Sequence, residues 1–224
     1  MGMDELKVFR STLLYVFAAV CCLWGGGISV IEAKLPSFKG LLWFLPAGQL
    51  LVYIILLASL VGTCCSCCIS SNIRLRSVVI AMVVFSGILF LLNMMASLLY
   101  DFIYAICYSI LVGVIKGLGE PMLEYLIPLL LGENNAAIGA GILTFGQGIG
   151  SLSMPAIANE IEKSIKKVDG CFYFAGVIFF LSASFIIWTY RLHLRVTKRT
   201  VSPCDPDEKP TQETECSGMD MERF

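Results

Sequence analysis

An all-α polytopic membrane protein, built as one bundle of six transmembrane helices, is the fold class this sequence predicts. Three observations carry it. Hydrophobic residues make up 57% of the chain and charged residues only 15%, where a water-soluble domain carries about a quarter charged. Uncharged runs extend over 11–31, 40–73, 77–100, 102–115, 134–159 and 170–190, and a bilayer-spanning helix needs about 20 mostly apolar residues. The charges that remain are gathered into clusters at the ends of those runs.

Taken in order, the spans are about 11–32, 41–63, 78–98, 101–131, 136–158 and 171–190. The first resembles a secretory signal, but its uncharged segment exceeds the about 7–15 residues of a signal core and lacks a clear small-residue cleavage site. It is read as a retained span after a short cytoplasmic segment, residues 1–10. The fourth joins the run 102–115 to the apolar stretch that resumes after Lys116 and continues to Leu131. Beyond the sixth, residues 191–224 predict a disordered cytoplasmic tail, rich in Pro, Asp, Glu, Thr and Ser past Arg199. The connections are short, which leaves no room for a soluble catalytic domain.

Six spans put both termini on one side. With the N-terminus inside, the inner ends carry Lys7, Arg10, Arg74, Arg76, Arg191, Arg195, Lys198 and Arg199. The outer ends carry Lys34, Lys39, Lys163, Lys166 and Lys167. Every arginine falls inside, so the positive-inside bias predicts cytoplasmic termini. Trp43, Tyr100 and Tyr173 would mark the outer interface, Trp188 and Tyr190 the inner one.

Of the ten cysteines, Cys64, Cys65, Cys67 and Cys68 in "TCCSCC" close the second span, and Cys204 and Cys216 lie in the tail. Juxtamembrane thiols suit S-acylation; unmodified thiols are the alternative. A structural zinc site would want a second ligand pair, and the only histidine, His193, is far along the chain. No metal or other cofactor is expected, nor a nucleic-acid partner.

The stretch "AAIGAGILTFGQGIGSLSMPAIANEI" (136–161) is apolar yet glycine-laden. Helices in lipid gain little from apolar burial against one another, and small residues let backbones approach instead. Gly146 and Gly150 form a GxxxG pair, and Ala137 with Gly141 repeats the spacing. Together they predict a smooth packing stripe, with Pro155 bending the far end of the helix. Tight packing alone is one reading. The other has Gly148 and Gln147 bordering a polar cavity.

Charges interrupt the fourth span. Lys116, Glu120 and Glu124 recur every fourth residue and share a drifting stripe. Ionisable groups at membrane depth are costly and normally face a partner or a wet cavity, and Lys116 and Glu120 are one turn apart, so they are expected to pair. Pro121 frees a backbone carbonyl four residues back. A position near the inner interface, with the lysine snorkelling, is the alternative. Asn93 in span three and Glu32 late in span one are further polar candidates.

The residues carry a resemblance. Gly146 to Gly150 in "FGQGIG", Pro155, and Phe172 to Gly176 in "FYFAG" are similar to the last two helices of monocarboxylate transporter-like members of the major facilitator superfamily. Leu126 to Gly132, "LIPLLLG", resembles the segment that enters that pair. The resemblance implies that the six spans correspond to the C-terminal half of a twelve-helix transporter in the plasma membrane. It also implies a small organic anion, such as a monocarboxylate, as solute. Lys116 would then meet the carboxylate, Glu120 and Glu124 would carry protons or balance the lysine, and Asn93 and Gln147 would line the site. Such transporters hold solute between two halves, so a second copy or a separate N-terminal half is an expected partner, beside the lipid bilayer. Span two carries neither Asp nor Arg, which members that couple transport to protons do carry there. A non-transporting scaffold, accessory subunit or inactive half-transporter is the alternative, and an ion-conducting oligomer a third. No H-E-x-x-H, G-x-S-x-G or P-loop pattern occurs, so no enzyme activity is expected.

Overall fold

The computed structural model describes residues 3–37, 47–69, 74–132, 136–165 and 167–200. Six α-helices follow one another: α1 (Met3–Lys34), α2 (Ala47–Ile69), α3 (Leu75–Met94), α4 (Phe102–Leu131), α5 (Ala136–Ile165) and α6 (Asp169–Thr200). A 3-10 turn, Ala96–Tyr100, leads into α4, whose N-terminus is capped by the Asp101 carboxylate accepting from the Ile103 amide at 3.1 Å. Among the described residues there is no strand. All six helices are long and apolar enough to cross a membrane, as every backbone amide buried in hydrocarbon must be satisfied within its own helix. The protein is an all-α multi-pass membrane protein.

Several boundaries differ from the sequence reading: α1 already begins at Met3, α2 reaches Ile69, α3 stops at Met94, and the last two helices run on into charged sequence. α5 continues seven residues beyond 158, to Ile165, and α6 continues to Thr200, so the first ten residues assigned to a disordered tail are helical. The extensions are charged rather than apolar, and Lys, Arg and Glu are good helix formers. Hydropathy marks where a helix leaves lipid, not where it ends. Residues 201–224, with Cys204 and Cys216, lie outside the described residues, as do the start of span two with Lys39 and Trp43, and Lys166. The helix positions of Lys7, Arg10, Cys67, Cys68, Lys198 and Arg199, and the place of Tyr100, are described without their side chains.

Contacts between helices follow a pattern. The two most extensive pairings are α2 with α4 and α1 with α5; α1 also packs on α6, α3 on α4, and α3 on α6. Exchanging α1 with α4, α2 with α5 and α3 with α6 carries this set onto itself. Short connections make successive helices antiparallel, so the two triplets are related in inverted orientation. The lesser contacts of α5 with α4 and α6 are the departure from that exchange.

Glycine makes both main seams. On α5, a methyl group at Gly146 would come within 3.0 Å of the Ala18 carbonyl oxygen, and one at Gly150 would overlap the carbonyl of Cys22. On α4, Gly113 lies against the Ile55 carbonyl and Gly117 against that of Ser59. Each seam is therefore a GxxxG pair seated on two carbonyls one turn apart. Gly141 does not belong to this stripe: it is exposed and has nothing within 4 Å, as has Gly148. Five residues turn a helix by about 500°, which leaves Gly141 about 140° from Gly146. Gly139, buried against Ile127 of α4, takes the place expected of it. The helix assignment of α5 continues unbroken through Pro155.

Gly150→Ala should destabilise the bundle by about 1–3 kcal/mol, the usual cost of overpacking. Gly148→Ala and Gly141→Ala, in open space, should lose nothing. Thermal unfolding of the purified chain in detergent distinguishes the two groups.

Candidate functional site

Lys116 stands at the midpoint of α4 (Phe102–Leu131). Its Nζ donates to Glu32 Oε1 at 2.5 Å, with side-chain exposures of 16% and 28%. The expected partner, Glu120, is not the one it takes. Within a helix a lysine placed four residues before a glutamate is the weaker order, and α1 offers a carboxylate across the seam. Glu120 stays half-buried, within electrostatic reach of Lys116, Glu32 and Glu124. Glu124 is exposed: at about 100° per residue, eight residues carry it about 80° around from Lys116. The stripe thus drifts out of the bundle by Glu124, one turn after Glu120.

The last turn of α1 holds a second cation. Lys34, assigned from sequence to the outer loop, is buried and donates to both the Asn159 amide oxygen and the Glu162 carboxylate of α5. One turn and a half earlier on α1, Ser29 Oγ donates to Ser151 Oγ at 2.9 Å. The C-terminal end of α1 is therefore tied by polar contacts to α4 on one side and α5 on the other.

The other expected site residues lie elsewhere. Asn93 is fully buried at the α3–α4 seam, donating to the Leu89 carbonyl (2.7 Å) and accepting from the Tyr108 hydroxyl (3.0 Å). It is satisfied as a packing contact between helices. Gln147 is half-buried, and its Cα, Cβ and Cγ lie against Gly25 of α1, where a methyl group would come within 3.0–3.2 Å. That is the α1–α5 seam, one turn from Gly150. The carbonyl freed by Pro121 is that of Gly117, and the Thr63 hydroxyl of α2 reaches it at 3.3 Å. This proline serves helix pairing too.

Two features were missed, and of a third, Glu32, only the partner. Lys34 was hidden by its place after the apolar run. The Gly113–Gly117 pair carries a GxxxG signal as plain as that of α5. Glu32 showed itself only as one acidic residue late in a span, with nothing to mark its partner.

What remains as a site is the junction of α1 and α4. The contact between these two helices is slight compared with α1–α5 or α2–α4. Two tightly seamed pairs thus meet lightly, and the meeting is bridged by an ion pair. Chemically the cluster can exchange a proton or trade one carboxylate for another at Lys116. Among the described residues, no three of His, Cys, Asp and Glu gather as a metal site.

Glu32→Lys and Lys116→Glu should each lower the unfolding temperature, and the double exchange should restore most of it. The single losses should fall below the about 3–5 kcal/mol of a fully buried pair, because both side chains keep some exposure. Double-mutant analysis of thermal unfolding checks this.

Compared with protein-family models the chain matches none, and compared with curated proteins it matches none.

Proposed function

We propose that the chain is a facilitator-type solute transporter unit in the plasma membrane, with both termini cytoplasmic. Its charged centre is Lys116, Glu32 and Glu120. One observation carries this: the ion pair that bridges α1 and α4 at the midpoint of α4. An ionisable pair so far along an apolar helix is expected where a pathway runs. The contact pattern supports it, because three-plus-three inverted repeats are nested in each six-helix half of major facilitator transporters. α1 and α4 open the two triplets, and the pair joins them.

The solute is a small organic anion such as a monocarboxylate, as the resemblance to the monocarboxylate transporter-like members implies. Its carboxylate reaches Lys116 by replacing Glu32, and protonation of Glu32 removes the competing charge. Anion and proton therefore move together. Rocking at the lightly packed α1–α4 junction is the motion, and a second six-helix unit, a copy of the chain or a separate half, encloses the site.

A second reading takes the chain as a scaffold or accessory subunit that does not transport. The completed Lys116–Glu32 pair favours it, since a lysine already neutralised in the resting protein needs no solute.

Purified chain in liposomes, given an inward proton gradient, should take up labelled lactate or a similar short carboxylate. Lys116→Ala should lower the initial rate at least tenfold, and Glu32→Gln should remove its dependence on external pH. Uptake by the native chain no faster than by empty liposomes would overturn transport and leave the scaffold.

A further inference from the structure

The "TCCSCC" segment takes no part in the α1–α4 centre, yet it is placed with a definite orientation. In the last turns of α2, Thr63 and Ser66 face inward. The Thr63 hydroxyl is shared between the Ser59 carbonyl of its own helix (3.0 Å) and the Gly117 carbonyl of α4 (3.3 Å), and Ser66 is 2% exposed. Cys64 and Cys65 are both exposed. They continue an apolar row, because Leu60 and Val61, 64% and 57% exposed, stand one turn before them, and Leu57 precedes those. Residues four apart share a helix face, so Leu60 leads to Cys64 and Val61 to Cys65. α2 ends at Ile69, one turn beyond Cys65, and the exposed Arg74 and Arg76 open the next helix. Both thiols therefore stand near the end of an exposed apolar stripe, within ten residues of the first basic side chain beyond it.

We propose that Cys64 and Cys65 form an S-acylation site. Each deprotonated sulfur attacks the carbonyl carbon of a long-chain fatty acyl thioester, such as an acyl-coenzyme A. A new carbon–sulfur bond forms on the protein as the donor's carbon–sulfur bond breaks. The donor leaves as its thiol, taking up the proton the cysteine lost, so nothing is oxidised or reduced. The acyl chain then lies along Leu60, Val61 and Leu57 in hydrocarbon, where each buried methylene adds to membrane attachment. Basic residues beyond the stripe place this end of α2 on the cytoplasmic side, where juxtamembrane cysteines are acylated.

The test uses the full chain expressed in cells that contain protein acyltransferases. Free thiols are blocked, thioesters are cleaved with hydroxylamine, and the new thiols are tagged with a maleimide polymer that shifts the gel band. The native chain should show at least two hydroxylamine-dependent shifts. Cys64→Ser/Cys65→Ser should lose two, and Cys204→Ser/Cys216→Ser should lose none. No hydroxylamine-dependent shift in the native chain, or an unchanged pattern in Cys64→Ser/Cys65→Ser, would overturn the site. Should that variant fail to fold, mass spectrometry of the native peptide spanning 61–69 decides it. Acyl mass on Cys64 and Cys65 supports the site, and their recovery only as unmodified thiols overturns it.

Discussion

Close approach of helix backbones is the constraint on which the bundle depends. Between helices already in lipid, burial of apolar side chains gains little, and cohesion comes from van der Waals contact and hydrogen bonds across helices. α5 presses Gly146 and Gly150 onto the carbonyls of Ala18 and Cys22, and α4 presses Gly113 and Gly117 onto those of Ile55 and Ser59. These seams organise the polar groups around them. Thr63 reaches the carbonyl that Pro121 leaves open only because Gly117 lets α2 come so near. With α1 fixed to α5 and α4 fixed to α2, little packing is left for α1 against α4, and the charges lie there.

Much of this was legible in the sequence, and for a physical reason. Twenty apolar residues in a row satisfy the bilayer whatever they pack against, so the six spans follow from hydropathy alone. GxxxG likewise declares close approach, and Gly146 with Gly150 behaves as it reads. What one helix's sequence cannot supply is the azimuth of its neighbour. Ala137 and Gly141 have the same spacing as Gly146 and Gly150, yet Gly141 turns to open space, since only the position of α1 decides which small stripe is used. Lys116 shows the same limit: its own helix offers Glu120, but Glu32 comes from a residue 84 positions away. Lys34 was read as an outer-end charge because it follows the apolar run that Glu32 ends, whereas Asn159 and Glu162 on α5 supply partners that let it be buried.

The charges also bear on which solute the proposed α1–α4 site would accept. Lys116 faces Glu32 directly, with Glu120 nearby and Glu124 further out, so carboxylates outnumber the cation. Two unit charges about 4 Å apart interact by about 4 kcal/mol at an effective dielectric near 20. An incoming carboxylate that met an ionised Glu32 at that distance would lose close to three decades of affinity, at about 1.4 kcal/mol per decade. Lys116 attracts the incoming carboxylate by about as much at a similar distance, so against an ionised Glu32 the two effects nearly cancel and the anion gains little. On the proposed reading, an anion is therefore favoured when a proton neutralises the displaced glutamate. In the proposed cycle, coupling would follow from the composition of the cluster rather than from an added carrier. The same arithmetic explains how one ion pair can serve as lock and site together. The pair bridges α1 and α4, and in the proposed cycle its opening would release the lysine for solute and the lightly packed junction for movement.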